Sequence, residues 1–389
     1  PRHEGNSRHA VIVPYRLGVL LDRQDQAHRD MLDAIRLGIA EWRASGALDR
    51  EIDLIVREVK DAVDGSALDL ADEWRALFEH EPILGMIGPF GDMSGAAVRP
   101  LVEQGRLTTV TTSADDRFTG HYCFQLTVDH PVDIAHLLLR HARAQGCERP
   151  FLVREAGPCG ARVEAAYRQA ARQDGWTHVD VVERDDHFDA RLARGGALGW
   201  DALLYYGGAA HAAVDAALRA AGLDPMRLTG TEIDRAHPVH GDAAALEGWI
   251  GLAVVHPGNR RFQAFRRAFS DQYGRDGGHA RAAQGYDIGR MIGRVLVDIR
   301  PPSSEGLRDG LDRIRMMPVA TGAPGTVASF TRYDRRALKN NPLALAIRWR
   351  NPATRRFRTY EISDRRVPAH FAGRGGAGTQ LRGLAHQHL

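Results

Sequence analysis

Short apolar runs bounded by glycine, proline and small polar residues alternate along this chain with longer stretches whose apolar residues recur every three or four positions. That alternation is the strongest constraint on the fold. Strands that each need a helical crossover to reach the next one build a parallel sheet covered on both faces. The stretch 82–116, PILGMIGPFGDMSGAAVRPLVEQGRLTTVTTSADD, shows the repeating unit in full. It reads as a strand at 83–87, a glycine-rich turn at 88–92, a helix over 93–104 and a second strand at 107–111 ending in small polar residues. In an open parallel sheet, loops leaving the carboxyl ends of neighbouring strands line the binding crevice, so this stretch is expected to hold the functional centre.

The same pattern continues on either side. Residues 15–21 (YRLGVLL) and 52–58 read as strands, and between them Met31, Leu32, Ile35, Ile39 and Trp42 mark one face of a helix over 27–43. Ser66 followed by Asp69 resembles a capping box before a helix carrying Leu68, Ala71, Trp74, Leu77 and Phe78. After 122–127 the alternation restarts with helix 131–145, strand 150–154, helix 160–174, strand 179–182, an acidic loop, strand 202–206, helix 211–221 and a short strand at 227–230. A helical region then runs from 258 through Phe262, Phe265, Phe269 and Tyr273, and on through 286–299, before a turn-rich segment at 321–331. Two alternating runs, 343–349 and 356–362, joined by Asn351 and Pro352, read as a hairpin, and the glycine-rich polar tail 373–389 is expected to lack regular structure. The fold class is therefore α/β, with two doubly wound units of similar size, and 389 residues suffice for two cores.

Composition removes several functions. A net charge of +3 from 52 basic and 49 acidic residues is too balanced to call for nucleic acid as a partner. No apolar run approaches the ~20 residues of a membrane span. The chain opens at Pro1 without a basic-then-apolar leader, which fits a cytosolic protein or a mature form without its signal peptide. Three cysteines without a C-x-x-C pair support neither a zinc ribbon nor a disulfide scaffold, although Cys147 and Cys159 are the nearer pair for one bridge, with Cys123 left over. The segment GDMSG at 91–95 has its serine in the fourth place, not the third of a nucleophile elbow. GMIGPFG at 85–91 lacks the dinucleotide spacing, and no phosphate loop occurs. The 18 histidines are scattered, with His237 and His240 flanking Pro238 and His386 and His388 in the tail, and none forms a metal motif. No catalytic constellation remains, so neither enzyme activity nor a cofactor or metal is expected.

The order of elements and a series of local motifs resemble the type I periplasmic binding proteins, in particular the family that includes the branched-chain amino acid receptors of ABC importers. The motifs are IGP at 87–89, TTSA at 111–114, YCFQ at 122–125, LYYGG at 204–208, AAGL at 220–223 followed by GTE at 230–232, and QGYD at 284–287. The resemblance runs from about 15 to 362 and implies two lobes joined by a three-crossover hinge. Lobe 1 is then 11–128 with 256–337, lobe 2 is 129–255 with 338–362, and 363–389 is a tail. It also implies a monomer that captures a small molecule in the inter-lobe cleft by hinge closure and hands it to a membrane permease or another envelope transport protein, in the periplasm or cell envelope. The rival is a cytosolic ligand-sensing regulator of the amide-sensor type, which shares the fold.

In the amino acid receptors of this family, a serine after Gly-Pro and nearby backbone amides hold the ligand carboxylate. Asp92 matches that serine here, and Asp115 stands where a threonine is expected after Ala114. Asp92 either caps the following helix or meets the ligand, and Asp115 is either a loop acid or a ligand contact. Thr112 and Ser113 either present hydroxyls or finish a strand. Glu232 matches the acid that receives the ligand ammonium, Cys159 stands near a customary tyrosine, and Ala209 and Ala210 replace bulkier residues. Tyr205 and Tyr206 point to opposite faces of their strand, so at least one belongs to the core. The implied pocket is Phe90, Asp92, Met93, Thr112, Ser113 and Asp115 from lobe 1 with Cys159, Tyr206, Ala209 and Glu232 from lobe 2. Its acids repel a carboxylate, so the expected ligand is not a standard amino acid but a neutral or cationic hydrogen-bond donor, among which a sterol or hopanoid is one candidate.

Overall fold

The computed structural model describes residues 13–22, 25–59, 67–128, 130–236, 245–339, 343–350, 357–367 and 379–382. The capping serine Ser66, the histidines His237, His240, His386 and His388, and the hairpin turn at Asn351 and Pro352 lie outside these residues. The chain divides into two compact units.

Unit 1 comprises 1–126, 285–315 and 329–337. Its sheet is built from β1 (Tyr15–Leu21), β2 (Ile52–Glu58), β3 (Gly85–Ile87), β4 (Thr109–Thr111) and β5 (Cys123–Gln125), all parallel, in the order β2-β1-β3-β4-β5. Between them run α1 (Gln26–Ala44), α2 (Ala67–His80) and α3 (Asp92–Gly105). α1 starts where the Asp25 carboxylate accepts the Ala27 N–H at 2.7 Å. One core cluster gathers Leu20, Leu70, Trp74, Leu77, Met86, Val98, Val102 and Phe118. β3 and β4 are shorter than their apolar runs because a strand lasts only as long as its ladder, and Met86 and Ile87 alone pair with Thr109 and Val110.

Unit 2 comprises 127–284, 316–328 and 338–389. It contains α4 (Pro131–Ala144), β6 (Pro150–Arg154), α5 (Gly157–Gln173), β7 (Asp180–Glu183), the short helices α6 (Phe188–Leu192) and α7 (Gly195–Leu198), β8 (Ala202–Leu204), α8 (His211–Ala220), β9 (Met226–Leu228), a 3-10 turn (Thr231–Ala236) and β10 (Ile250–Ala253). After α9 (Arg260–Tyr273), α10 (Ala280–Val297) carries the chain into unit 1, where α11 (Ser304–Leu311) follows. The remaining strands are β11 (Met317–Pro318), β12 (Val327–Ala328), β13 (Leu338–Lys339), β14 (Ala344–Arg350), β15 (Phe357–Val367) and β16 (Thr379–Arg382). β7-β6-β8-β9-β10 are parallel, and β14, β15 and β16 extend the same sheet antiparallel, while β11, β12 and β13 form a small separate sheet. Alternation along the strands sorts the core. Leu152, Ala202, Leu204 and Tyr206 lie in one cluster, and Phe151, Val153, Leu203 and Tyr205 in another.

The hairpin expected at 343–362 is β14 with β15. The tail differs from expectation, since Thr379–Arg382 pairs with β15 and places Arg382 opposite Glu361 in register. The strand β10 was not anticipated. Division by contacts groups 256–284 and 316–328, which the resemblance assigns to lobe 1, with unit 2. The reason is local. Asn259 caps α9 through Arg261 N–H at 3.0 Å while its amide donates to the carbonyls of Val319, Ala320 and Gly322 at 3.1, 3.1 and 3.0 Å, all on a segment of the same unit.

All three cysteines are free. A bridge between Cys147 and Cys159 is ruled out by β6, which separates them by five strand residues, roughly 16 Å of extended chain against a Cα separation of ~7 Å for a disulfide. Cys147 is half-buried at one end of β6 and Cys159 is exposed beyond the other. Burial, reinforced by Asp201, pushes the Cys147 thiol up to about 12.

Candidate functional site

In unit 1 the carboxyl ends of β3 and β4 carry Phe90, Asp92, Met93, Thr112, Ser113 and Asp115, as the sequence suggests. The turn after β3 needs glycine at 88, where φ is +89° and a Cβ would meet the Leu20 carbonyl oxygen at 2.4 Å. Phe90 is buried, 5.8 Å from the His28 ring between centroids. The N-cap of α3 is Gly91, without a side-chain bond, and Asp92 is the first residue of the helix, so the reading of Asp92 as the cap is corrected. The side chains of Asp92 and Met93 lie outside the described set.

The loop after β4 is stitched to the loop after β3. The Thr111 hydroxyl donates to the Pro89 carbonyl and accepts the Ser113 N–H at 3.0 Å, and the Thr112 hydroxyl lies 3.4 Å from the Phe90 carbonyl. Ser113 is fully buried, its hydroxyl accepting the Asp115 N–H at 3.3 Å, and Gln125 donates to the carbonyls of Ser113 and Asp115 at 2.9 and 3.0 Å. Asp115 is 1% exposed and is clamped by Arg117, whose Nε and Nη2 reach its oxygens at 3.0 and 2.6 Å and whose backbone N–H adds 2.8 Å. Sequence reasoning saw the acid and missed its partner two residues on. Arg117→Met is expected to lower stability by about 1–3 kcal/mol through loss of a charge-assisted pair to a buried carboxylate. A denaturation midpoint equal to wild type would show that Asp115 needs no guanidinium.

In unit 2 the carboxyl ends of β6, β8 and β9 carry the other residues. Cys159 is exposed in the first turn of α5, and Ala209 is exposed in the loop after β8. Tyr206 is buried at 3% exposure, with its hydroxyl 3.3 Å from the Val163 carbonyl, and Tyr205 is fully buried. Both tyrosines thus contribute to core clusters. Glu232, in the 3-10 turn after β9, is 8% exposed; it accepts the Gly207 N–H at 2.5 Å and the Thr229 hydroxyl at 3.1 Å. His211 Nε2 lies 2.9 Å from the same Thr229 oxygen. Since Thr229 donates to Glu232, that nitrogen carries the proton.

A second acid, Glu155, stands just after β6. It accepts the Tyr205 hydroxyl and two bonds from Arg184 Nε, each 2.9 Å, with Arg184 Nη2 at 2.7 Å. Burial works to raise the Glu155 carboxyl, and the hydrogen bonds from Arg184 and Tyr205 outweigh it, holding the group below the usual carboxylate range. Sequence reading did not single out Glu155 or Arg184.

Among the described residues no group of three or more His, Cys, Asp or Glu is placed to hold a metal, and no helix is long and apolar enough to cross a membrane. Two surface hollows lie away from these loops. One is in unit 1, between α1 and β2, at Leu32, Leu54 and Val56, and one is in unit 2, where the chain leaves α4 and α5, at Arg143, Cys147, Trp176 and His178.

A family model described as periplasmic binding protein matches residues 14–346. An ABC transporter substrate-binding protein from Desulfitobacterium hafniense, solved in complex with Leu, aligns with a TM-score of 0.72 at 18% identity over 89% of this chain and 100% of that one. A leucine binding protein from Thermotoga maritima aligns at 0.69 and 16% identity over 89% and 97%. A branched chain amino acid ABC transporter periplasmic ligand-binding protein from Burkholderia xenovorans aligns at 0.71 and 17% identity over 89% and 94%. No curated protein matches the chain. At these identities the solved structures share the fold, and the family model covers most of the sequence: the chain belongs to the periplasmic binding protein family, with the type I fold that its motifs suggested.

Proposed function

We propose that the chain is the solute-binding component of an envelope importer, and that it takes a small molecule whose cationic or hydrogen-bond-donating end meets Glu232. Glu232 carries this reading. It is a largely buried carboxylate at a strand-end loop, and the Gly207 N–H and the Thr229 hydroxyl fill two of its roughly four acceptor positions. Two positions are left for a ligand donor.

The expected exclusion of carboxylate ligands loses half of its support, because the Asp115 charge is matched by Arg117. Only Asp92 still argues against an anion, so leucine, the ligand of the Desulfitobacterium hafniense structure, belongs in the first test panel. A sterol or hopanoid gains nothing from either comparison, and we set it aside. Loops of both units are proposed to hold the ligand, with binding compacting the molecule.

Native mass spectrometry of protein purified without detergent should show a small polar solute carrying an amino, amide or hydroxyl group. Small-angle scattering with that solute at saturation should show a smaller radius of gyration. A lipid mass would overturn the ligand class, and an unchanged radius would overturn closure.

A further inference from the structure

The loop 207–210 after β8 is held at both ends, and only one end is held by Glu232. Gly207 gives its N–H to Glu232, whereas Ala210 gives its N–H to the Tyr205 hydroxyl at 2.9 Å. Tyr205 donates onward to Glu155, and Glu155 is gripped by Arg184 from the loop after β7. Two glycines make room for this arm. A Cβ on Gly208 would stand 2.4 Å from the Tyr205 hydroxyl oxygen and 3.1 Å from Glu155 Oε1, and a Cβ on Gly160 would stand 1.7 Å from the Glu155 carbonyl oxygen. The Tyr205 ring also packs edge-on against His211, which opens α8 and bonds Thr229 on the Glu232 arm. The two arms therefore meet around one short loop.

We propose that Arg184, Glu155 and Tyr205 are positioning residues that preorganise the ligand-binding loop 207–210 before the ligand arrives. The inference rests on the proposal that this loop and Glu232 take the solute. Its physical content is entropic. A loop fixed in its bound form does not have to be ordered on binding, and affinity gains what ordering would have cost. Glu155 and Arg184 side chains are 25% and 38% exposed, so the pair contributes little to global stability.

Hydrogen exchange on the ligand-free protein tests this. Tyr205→Phe removes the acceptor for the Ala210 amide and is expected to speed exchange in 207–210 by about tenfold, the loss of one net hydrogen bond. Glu155→Leu should do likewise, and Glu155→Gln, which still accepts from Tyr205, should restore most of the protection. Exchange in β6 should stay as in wild type, and the melting temperature should fall by no more than about 2–4 °C, the effect of one lost hydrogen bond. Unchanged exchange in 207–210, or faster exchange spread across unit 2, would overturn the proposal. No ligand enters this measurement, so its failure is separate from failure of the Glu232 site, which a Glu232 variant tests on its own.

Discussion

Gly289→Val is expected to lower the stability of unit 1 by about 2–4 kcal/mol, the upper range of overpacking a rigid contact. α10 lies against α1 along Gly285, Gly289 and Gly293, which repeat every fourth residue and so share one helix face. A Cβ on Gly289 would stand 2.2 Å from the Ile35 carbonyl oxygen, and one on Gly285 2.4 Å from that of Met31. The approach is mutual, since a Cβ on Gly38 of α1 would stand 2.3 Å from the Tyr286 carbonyl oxygen. At Gly285, Gly289 and Gly38 the obstacle is backbone, which cannot rotate away, while at Gly293 it is the Trp42 ring. Helices forced apart would also lose the Trp42 indole bond to the Arg290 carbonyl at 2.9 Å and the Arg290–Glu41 pair at 3.0 Å. Better helix propensity returns at most ~1 kcal/mol. As a control, Gly196→Ala meets nothing closer than 3.8 Å and should be near neutral. Denaturant unfolding checks both; a wild-type midpoint for Gly289→Val would mean that the helices tolerate separation.

This seam shows what the sequence made legible and what it did not. Periodicity located α1 through Met31, Leu32, Ile35 and Ile39, all of which are buried. The four-residue glycine repeat in α10 was equally visible but has meaning only once a partner helix is known. β10 escaped because Ile250–Ala253 sits in a continuous apolar run, whose period distinguishes neither strand nor helix. At the site, the strand-end placement of Thr112 and Ser113 followed from alternation, whereas Glu232 was singled out through the resemblance of its GTE motif. The pairing of Asp115 followed from neither, because it depends on where a side chain folds back, and Arg117 does so within two residues. Glu155 and Arg184 lie 29 residues apart and are joined only by the parallel pairing of β6 with β7. No local motif announces such a pair.

Glu232→Gln is the variant expected to change binding most. The amide is nearly isosteric, and its oxygen can still accept the Gly207 N–H, so the loop after β8 should keep its course. What disappears is the negative charge. For a solute with a cationic end, losing a desolvated ion pair should weaken affinity by about 2–4 kcal/mol, roughly 30- to 1000-fold, and mostly through faster release. For a neutral donor the loss should be about three- to tenfold, since a neutral hydrogen bond replaces a charge-assisted one. Titration of wild type and Glu232→Gln with the solute found by native mass spectrometry therefore reads both the location of the site and the charge of the ligand's donor end. Equal affinities in the two proteins would place the solute away from Glu232 and remove the observation on which the proposed function stands. A large loss accompanied by unchanged melting of the ligand-free variant would assign the effect to the missing charge, because a damaged fold lowers both together.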